Sequence, residues 1–382
     1  MDVAGQLVGT STAGYPQGVE RAANAGLIVA LILAFYVGFG VPILWAINYY
    51  IPTFFDGFGR RSLVGTLLYP FGPLRFEYVF VAALQMAVRY TLIAILFWRA
   101  WHSALPLKLV VIAFLVAPTG GYLFHTAGYP EDVLYLALLA AIHVPPLPAL
   151  LIMGATLFVQ ELAAFTVIPL YVTSLVLRRE FGRAVVHGAA LVAVFAVIYL
   201  FLQTVPPEAI EALLAQVRAV ARYTIDESYY QLFRNDFVGE RMRNYYMPPA
   251  RYLTRSLLLA GCVSVVVAAA CYRRSDRWFG LLNVLCVLGA CLAPLLLGFF
   301  GWDVFRWVFL SLLSGLFVLL FVARPSPAPV VLAVAGLLVV FALVGHLEYF
   351  DGAQPRPILS YARFMDFWSA ELPQILGKAL SR

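Results

Sequence analysis

Residues 1–382 are predicted to form one all-α, polytopic membrane domain with about nine to ten transmembrane helices. The first observation is composition: 63% of the residues are hydrophobic and 12% are charged, whereas soluble domains contain roughly 25% charged residues. The second is that apolar runs of roughly 20 residues, enough to cross a bilayer, recur along the chain. The third is that arginines stand at the ends of these runs, where they set topology. The net charge of +6 is therefore explained by topology and anionic lipid, and it does not indicate nucleic-acid binding.

Nine apolar segments are predicted to cross the membrane, the third of them in a broken form. A tenth crossing results if Val133–Leu147 also spans. In chain order, the nine segments are Ala25–Tyr50, Tyr78–Trp98, the region that begins with Leu109–Tyr122, Leu147–Leu177, Val185–Gln203, Ser256–Tyr272, Leu281–Phe300, Trp307–Val322 and Pro329–Gly345. The polar N-terminal residues predict an uncleaved first anchor rather than a cleavable signal peptide.

Two basic turns fix the predicted orientation. Arg178, Arg179 and Arg183 form the first turn, and a second run of arginines begins at Arg273. Positive residues favour the cytoplasmic side, so five other segments are predicted to face out together. They are the interfacial connector 51–76, the region 117–149, the extracytoplasmic loop 204–250, the turn 301–306 and the interfacial C-terminal tail 346–382. Trp45, Tyr49 and Tyr50 are predicted to lie in the headgroup belt.

The region 117–149 is predicted to be broken or re-entrant. It contains Pro118-Thr119-Gly120-Gly121 and ends near the proline-rich run 145–148. Irregular backbone at membrane depth must be covered by protein or line a cavity.

Glu161 is predicted to lie in the middle of one long span, Leu147–Leu177, next to Gln160. A carboxylate in the centre of a bilayer costs about 2.5 kcal/mol or more unless it is paired or hydrated. Arg89 is the other ionisable residue predicted to lie deep within a span. One interpretation is an Arg89–Glu161 pair that joins two helices. The other is a cavity open to the outer face, with Glu161 as base or ion site and Arg89 as anion ligand.

The outer turn before Trp307 contains a second polar group. Asp303 and Arg306 are three residues apart, so they share a face where a helix begins. Free N–H groups at such a helix start favour an anion. Trp302 suits either the membrane interface or a sugar face, and the alternative for the whole turn is a helix cap with a belt of aromatic residues.

Tyr129-Pro130-Glu131-Asp132 opens a short predicted helix on the same face. Two carboxylates in a first turn indicate either helix capping or an acid at the mouth of the cavity. His125 is close enough in sequence to join them. Both interpretations stay open on sequence alone.

Several classes of function are excluded because their sequence motifs are absent. The sequence contains no nucleotide-binding, dinucleotide, zinc or nucleophile-elbow motif, so neither a metal nor a cofactor is expected. The four cysteines are interpreted as small apolar packing residues. The tyrosine- and arginine-rich loop 204–250 fits sugar stacking or an ordinary solvated loop equally well.

Three motifs together resemble bacterial membrane proteins of surface-polysaccharide assembly, the EpsG-like and O-antigen-polymerase-like group. The motifs are Gly128-Tyr129-Pro130-Glu131-Asp132, then Gln160-Glu161, then Gly301-Trp302-Asp303-Val304-Phe305-Arg306-Trp307. They follow one another in the order typical of that group, within residues 110–325. Gln160 departs from the pattern, which has histidine at that position.

The resemblance implies an architecture related to GT-C glycosyltransferases and a location in the bacterial inner membrane. It implies glycosyl transfer from a polyprenyl-pyrophosphate-linked glycan, with membrane lipid and other polysaccharide-assembly proteins as partners. Glu161, Asp303 and Asp132 are then the expected catalytic carboxylates. The expected substrate-binding residues are Arg89, Arg306, Arg60, Arg61, Trp302, Gln160 and His125.

Two alternative functions follow from the same residues. A lipid-linked glycan flippase or proton-coupled transporter would place Arg89 and Glu161 on a translocation path. A non-catalytic scaffold of an envelope complex would pair the same charges internally and open no cavity.

Overall fold

The computed structural model describes residues 15–125, 128–202, 204–221, 223, 225–233, 250–272, 277–299, 303–323, 328–348, 365 and 367–380. Within these ranges the chain is helical and contains no strand. The all-α prediction is therefore confirmed.

The α-helices are numbered in chain order over the described residues. They are α1 Gln17–Gly38, α2 Leu44–Ile47, α3 Leu63–Leu68, α4 Tyr78–Trp101, α5 Leu105–Val116, α6 Pro118–His125, α7 Glu131–Ala141, α8 Pro146–Val159, α9 Val167–Leu177, α10 Phe181–Phe201, α11 Pro207–Val220, α12 Ala250–Ala270, α13 Arg277–Leu292, α14 Val304–Phe317, α15 Ala328–Val344 and α16 Leu372–Leu380.

Six of the described helical segments are long and apolar enough to cross a membrane, which is consistent with a multi-pass membrane protein. They are α1, α4, α10, the segment Leu253–Ala270 of α12, α13 extended to Phe299, and α14 extended to Val322. A seventh is obtained if α5 and α6 count as one bent span. The sequence predicted more crossings partly because α8, α9 and α15 are apolar but shorter.

The stretch Leu147–Leu177 does not form the single span that the sequence predicted. It forms a helical hairpin: α8, a break at 160–166, and α9 running back. The Arg178 Nη2, just after α9, donates to the Ile142 carbonyl, just before α8, at 3.1 Å. Both ends of the hairpin therefore lie at the same end of the bundle. Glu161 lies at its apex.

The predicted break in region 117–149 is present. Ala117 is extended, at φ −68° and ψ 166°, as expected before a proline. Pro118 opens α6, which is bent by 69° from α5. The chain then returns through α7, so α6 and the start of α7 lie inside the bundle.

Residues 39–77 and the described residues of 204–233 form a layer over one end of the bundle, which we call the cap. It has its own apolar core, separate from that of the bundle. The two cap segments are joined by the Asn48 side chain, whose Nδ2 donates to the Asp226 carbonyl at 2.9 Å. Apolar side chains exposed on the connector, including Phe55 and Leu67, suit the interfacial position predicted for 51–76.

The aromatic residues predicted for the headgroup belt are covered by the cap. Helix α1 ends at Gly38 rather than Tyr50, and Tyr49 and Tyr50 are buried. Tyr223, Tyr229 and Tyr230 of the 204–250 loop are also buried in the cap core rather than exposed to solvent. These rings pack on one another, so they bury more apolar surface than they would in the headgroup belt.

The two ends of the bundle differ in charge. The end opposite the cap carries basic residues near the helix termini: Arg99, Lys108, Arg178, Arg179 and Arg183. The cap end receives the connector, the α6–α7 junction, the apex of the hairpin and the start of α14. The π-helical turn Phe367–Glu371, just before α16, joins that end through Trp368, whose ring stacks on Phe39 at 5.2 Å.

Candidate functional site

Buried charged residues are concentrated where the cap meets the bundle. They form three sets. The Glu161 group is Arg60, Arg61 and Glu161; the Arg306 group is Arg306, Glu131 and Asp303; the third set is the Arg89–Asp132 pair.

In the Glu161 group, two guanidinium groups hold one carboxylate. Arg60 Nη1 donates to Glu161 Oε1 at 2.7 Å. Arg61 donates to the same oxygen through Nη2 at 2.7 Å and to Oε2 through Nε at 2.9 Å. The Arg60 and Arg61 side chains are 2% and 5% exposed, whereas the Glu161 side chain is 13% exposed. These contacts join the hairpin apex to the cap.

Local backbone geometry presents these side chains to one another. Arg61 has a φ of 54°, a conformation that is uncommon for a residue with a side chain. Gln160 is extended, at φ −162° and ψ 133°, and Glu161 begins the short 3₁₀ turn Glu161–Ala164. The strain at Arg61 is offset by its contacts with Glu161.

Two buried polar atoms beside this group have no hydrogen-bond partner in the described structure. They are Ser62 Oγ and Gln160 Oε1. Ser62 and Gln160 are 0% and 1% exposed. A buried polar atom of this kind costs about 1–3 kcal/mol when it stays unsatisfied, so both atoms are available to a ligand or water.

The Arg306 group lies at the start of α14. Arg306 Nη2 pairs with Glu131 Oε1 of α7, and Arg306 Nη1 lies 3.8 Å from Asp303 Oδ2. Asp303 also caps α14, because its Oδ1 accepts from the Arg306 backbone N–H at 3.4 Å. The guanidinium lies 4.1 Å from the centre of the Tyr129 ring. One arginine is therefore shared by two carboxylates and an aromatic face.

Asp303 retains an available oxygen, since its buried Oδ2 has no hydrogen-bond partner within the described part of the chain. Burial raises the pKa of the Asp303 carboxyl from 3.8 to about 6, and Arg306 opposes this shift. A carboxylate with such a pKa and a vacant oxygen can accept a proton near neutral pH.

Arg89 and Asp132 form the third set, between the middle of α4 and the first turn of α7. Arg89 Nε lies 2.5 Å from Asp132 Oδ2, and Arg89 Nη1 also donates to the Leu123 carbonyl of α6. A small cavity, large enough for about one water molecule, is lined by residues of this pair and of the Arg306 group together with apolar side chains. The polar lining residues include Arg89, Asp132, Glu131 and Arg306.

Aromatic rings connect the Glu161 group to the Arg306 group. The Arg61 guanidinium lies 5.7 Å from the centre of the Tyr49 ring. Tyr49 lies 6.0 Å from Tyr129, which contacts Arg306. Trp45 and Tyr229 pack against Tyr49 from the cap at 5.2 and 4.9 Å. The groups therefore belong to one continuous layer.

The sequence-predicted site residues are thus largely brought together, but with different partners. The Arg89–Glu161 pair considered from the sequence is not formed: Arg89 pairs with Asp132, and Glu161 with two cap arginines. The reason is the hairpin, which moves Glu161 from mid-span to the level where α10 ends. His125 lies beside Gly40, and Trp302 lies outside the described residues.

Three residues of the site were not predicted as functional. Glu131 precedes Asp132 and was named only with it, and its direct pairing with Arg306 was not foreseen. Tyr49 and Tyr129 were assigned to the interface and to a motif, respectively. Aromatic residues at a membrane surface and aromatic residues inside a polar site look alike in sequence. Tyr49 and Tyr129 are therefore identified as site residues only by their buried contacts.

The described residues contain no cluster of three or more histidine, cysteine, aspartate or glutamate side chains suited to a metal ion. Known proteins give no further assignment, because no family model, curated protein or solved structure matches this chain. The chemistry that the described residues offer is anion binding by arginine, proton transfer by carboxylate, and contact with aromatic rings.

Proposed function

We propose that this protein is a membrane glycosyltransferase or polymerase that uses a polyprenyl-pyrophosphate-linked glycan as donor. The observation that supports it most is the buried layer of arginines and carboxylates between an apolar bundle and an aromatic cap. A lipid diphosphate requires fixed cations close to a membrane surface, and one arginine guanidinium group can bind two phosphate oxygens at once.

The available oxygen of Asp303 suits a general base. In the proposed reaction, an acceptor hydroxyl oxygen attacks the anomeric carbon of the donor sugar, and the bond to the diphosphate oxygen breaks. Asp303 accepts the hydroxyl proton, and the prenyl diphosphate leaves. Arginine side chains stabilise the charge of the leaving group, with Arg306 and Arg89 at the cavity and Arg60 and Arg61 beyond Tyr49.

Glu161 receives a different role from the one that its sequence position suggested. Its two oxygens accept hydrogen bonds from two arginines, which makes it a poor base for a substrate hydroxyl. Its contacts with Arg60 and Arg61 instead attach the hairpin apex to the cap. Asp132, which is paired with Arg89, positions that arginine.

The cap end is proposed to face the non-cytoplasmic side of a bacterial inner membrane. The basic residues at the opposite end support this orientation through the positive-inside rule. The cavity is too small for a sugar, so the cap or the hairpin must move to admit substrate.

A reconstitution experiment tests this function. The purified protein in liposomes receives a polyprenyl-diphosphate oligosaccharide, and the products are separated by length. We expect longer lipid-linked glycans from the wild type and the Asp226→Asn control, whose carboxylate lies in an exposed part of the cap. We expect at least a hundredfold loss with Asp303→Asn. A wild type that forms no glycosidic bond with this donor class contradicts the function, and full activity of Asp303→Asn contradicts the base.

The second candidate is a flippase or proton-coupled transporter. It is favoured by two interrupted elements, α5–α6–α7 and α8–α9, whose breaks lie near buried charges, as in discontinuous transporter helices. A transporter would move the lipid-linked glycan between leaflets of the same liposomes without making a new glycosidic bond.

A further inference from the structure

The Arg60–Arg61 pair is contacted by a carboxylate from a distant part of the chain. We propose that the pair is a binding site for a phosphate or diphosphate anion and that Glu161 occupies this site as an internal counter-ion. Anion binding and attachment of the hairpin apex to the cap then exclude one another. The inference deepens the proposed function, on which it rests, by identifying a phosphate subsite and the contact that closes it.

Charge favours an exchange of anions at this site. The three side chains of the Glu161 group carry two positive charges and one negative charge. A diphosphate offers more charge and more acceptor oxygens than one carboxylate, and each guanidinium can bind two of those oxygens. The incoming anion would therefore satisfy the arginines more completely than Glu161 does.

The arginines are held independently of Glu161. Arg60 Nη2 also donates to the Leu232 carbonyl, and its guanidinium lies 5.1 Å from the centre of the Phe233 ring. Arg61 packs over Tyr49. Loss of the carboxylate therefore leaves both guanidinium groups anchored in the cap.

Glu161 is the partner that can withdraw. It follows an extended residue and starts a short 3₁₀ turn between two helices, so few backbone hydrogen bonds resist its displacement. Its side chain is the most exposed of the three. Solvent, and an anion from solvent or from a lipid headgroup, can approach the group from this side.

An unsatisfied polar atom provides an independent indication of an anion. Ser62 Oγ, next to Arg61, is buried and has no hydrogen-bond partner in the described chain. A phosphate oxygen can accept from the Ser62 hydroxyl. The carboxylate of Glu161 does not satisfy this atom.

Binding measurements in a phosphate-free maltoside detergent test the proposal, with inorganic pyrophosphate and a short-chain prenyl diphosphate as probes. We expect Glu161→Gln to bind pyrophosphate at least tenfold more tightly than wild type, because the internal competitor is neutral. Glu227→Gln is the matched control, since Glu227 pairs with Arg218 at 2.6 Å on the exposed side of the cap, and its affinity should equal that of wild type. Arg61→Gln should weaken binding at least tenfold.

Hydrogen exchange gives the second measurement. Pyrophosphate should accelerate amide exchange at 160–166 in the wild type, because the apex is released. If Glu161→Gln does not fold without ligand, Glu161→Asp replaces it and should bind the probe more tightly than wild type, because the shorter side chain holds the two guanidinium groups less well. Unchanged affinity of the Glu161 variant for both probes, or increased protection of the apex, overturns the proposal.

The two probes separate the sources of the anion. If Glu161→Gln binds both probes more tightly than wild type by the same factor, the site recognises the phosphate groups alone. If the variant binds only the prenyl diphosphate more tightly, the site recognises a lipid headgroup. Neither measurement requires glycosyl transfer. If pyrophosphate competes with Glu161 but no glycosidic bond forms, the anion site is supported and the glycosyltransferase function is contradicted. If glycosyl transfer occurs without this competition, the function is supported and the anion site is contradicted.

Discussion

Arg89 Nε lies 2.5 Å from Asp132 Oδ2, which links the middle of α4 to the first turn of α7. Both side chains are almost completely buried. The pair holds the interrupted segment α6–α7 against a continuous span. Because a buried pair stabilises a fold less than apolar packing does, its position beside the cavity indicates that it also shapes the site.

Removing one partner of this pair should be strongly destabilising. We expect Arg89→Gln or Asp132→Asn alone to cost about 3–5 kcal/mol, because each leaves a buried charge unpaired. The double variant should lose less than the sum of the single variants. Thermal unfolding in detergent measures the coupling. The exposed Arg183–Glu180 pair, at 2.8 Å, is the control, and its loss should cost at most about 1 kcal/mol. Additive effects at Arg89 and Asp132 would contradict the pairing.

The composition of the site was more predictable than its pairing. Arg89 and Glu161 were identifiable because charged residues are conspicuous in apolar runs, and Asp303 and Arg306 because of their spacing. Their partners depend on the direction in which each segment runs. A run of about 30 apolar residues is long enough for a tilted span or for two short helices, so length alone does not decide between them.

The sequence does contain signals for the hairpin. Gln160 and Glu161 interrupt the run at its centre, and Pro169 lies in the first turn of α9. The α5–α6 break was predicted correctly because its proline and glycines are adjacent. The cap was not predicted, since burial of Tyr49 depends on contacts with residues far away in the sequence, such as Tyr229.

The pH dependence of transfer should follow Asp303. Burial raises the pKa of its carboxyl to about 6, and a base acts in its deprotonated form. The initial rate in proteoliposomes should therefore be half-maximal near pH 6 and fall as pH decreases below that value. The Asp226→Asn control should show the same profile. A rate that rises as the pH falls through this range would exclude Asp303 as the base.

Gly38 permits a close crossing of α1 and α6. A Cβ atom at this position would lie 1.9 Å from the Gly121 carbonyl oxygen, so Gly38→Ala must push the helices apart. We expect a loss of at least about 1–3 kcal/mol from overpacking, measured by thermal unfolding in detergent. Gly18→Ala, in the exposed first turn of α1 with no atom within 4 Å, should be neutral or stabilising by at most about 1 kcal/mol. Equal stability of the two variants would contradict the crossing.

The direction of the hairpin has a topological consequence that labelling can measure. Val144 lies before α8 and Arg183 lies near the start of α10, and the Arg178–Ile142 hydrogen bond places both positions at one end of the bundle. Glu208 lies in the cap at the opposite end. If Leu147–Leu177 crossed the membrane once, Val144 would instead share the side of Glu208.

Single cysteines at these three positions, in a chain whose four native cysteines are replaced, distinguish the two topologies. A membrane-impermeant maleimide applied to sealed vesicles of either orientation should modify Val144→Cys and Arg183→Cys from the same side. It should modify Glu208→Cys from the other side, because the cap covers the end at which Glu161 meets Arg60 and Arg61. Modification of Val144→Cys together with Glu208→Cys would restore the single span. Glu161 would then return to mid-membrane, out of reach of the cap arginines, and the anion site built on that contact would be lost.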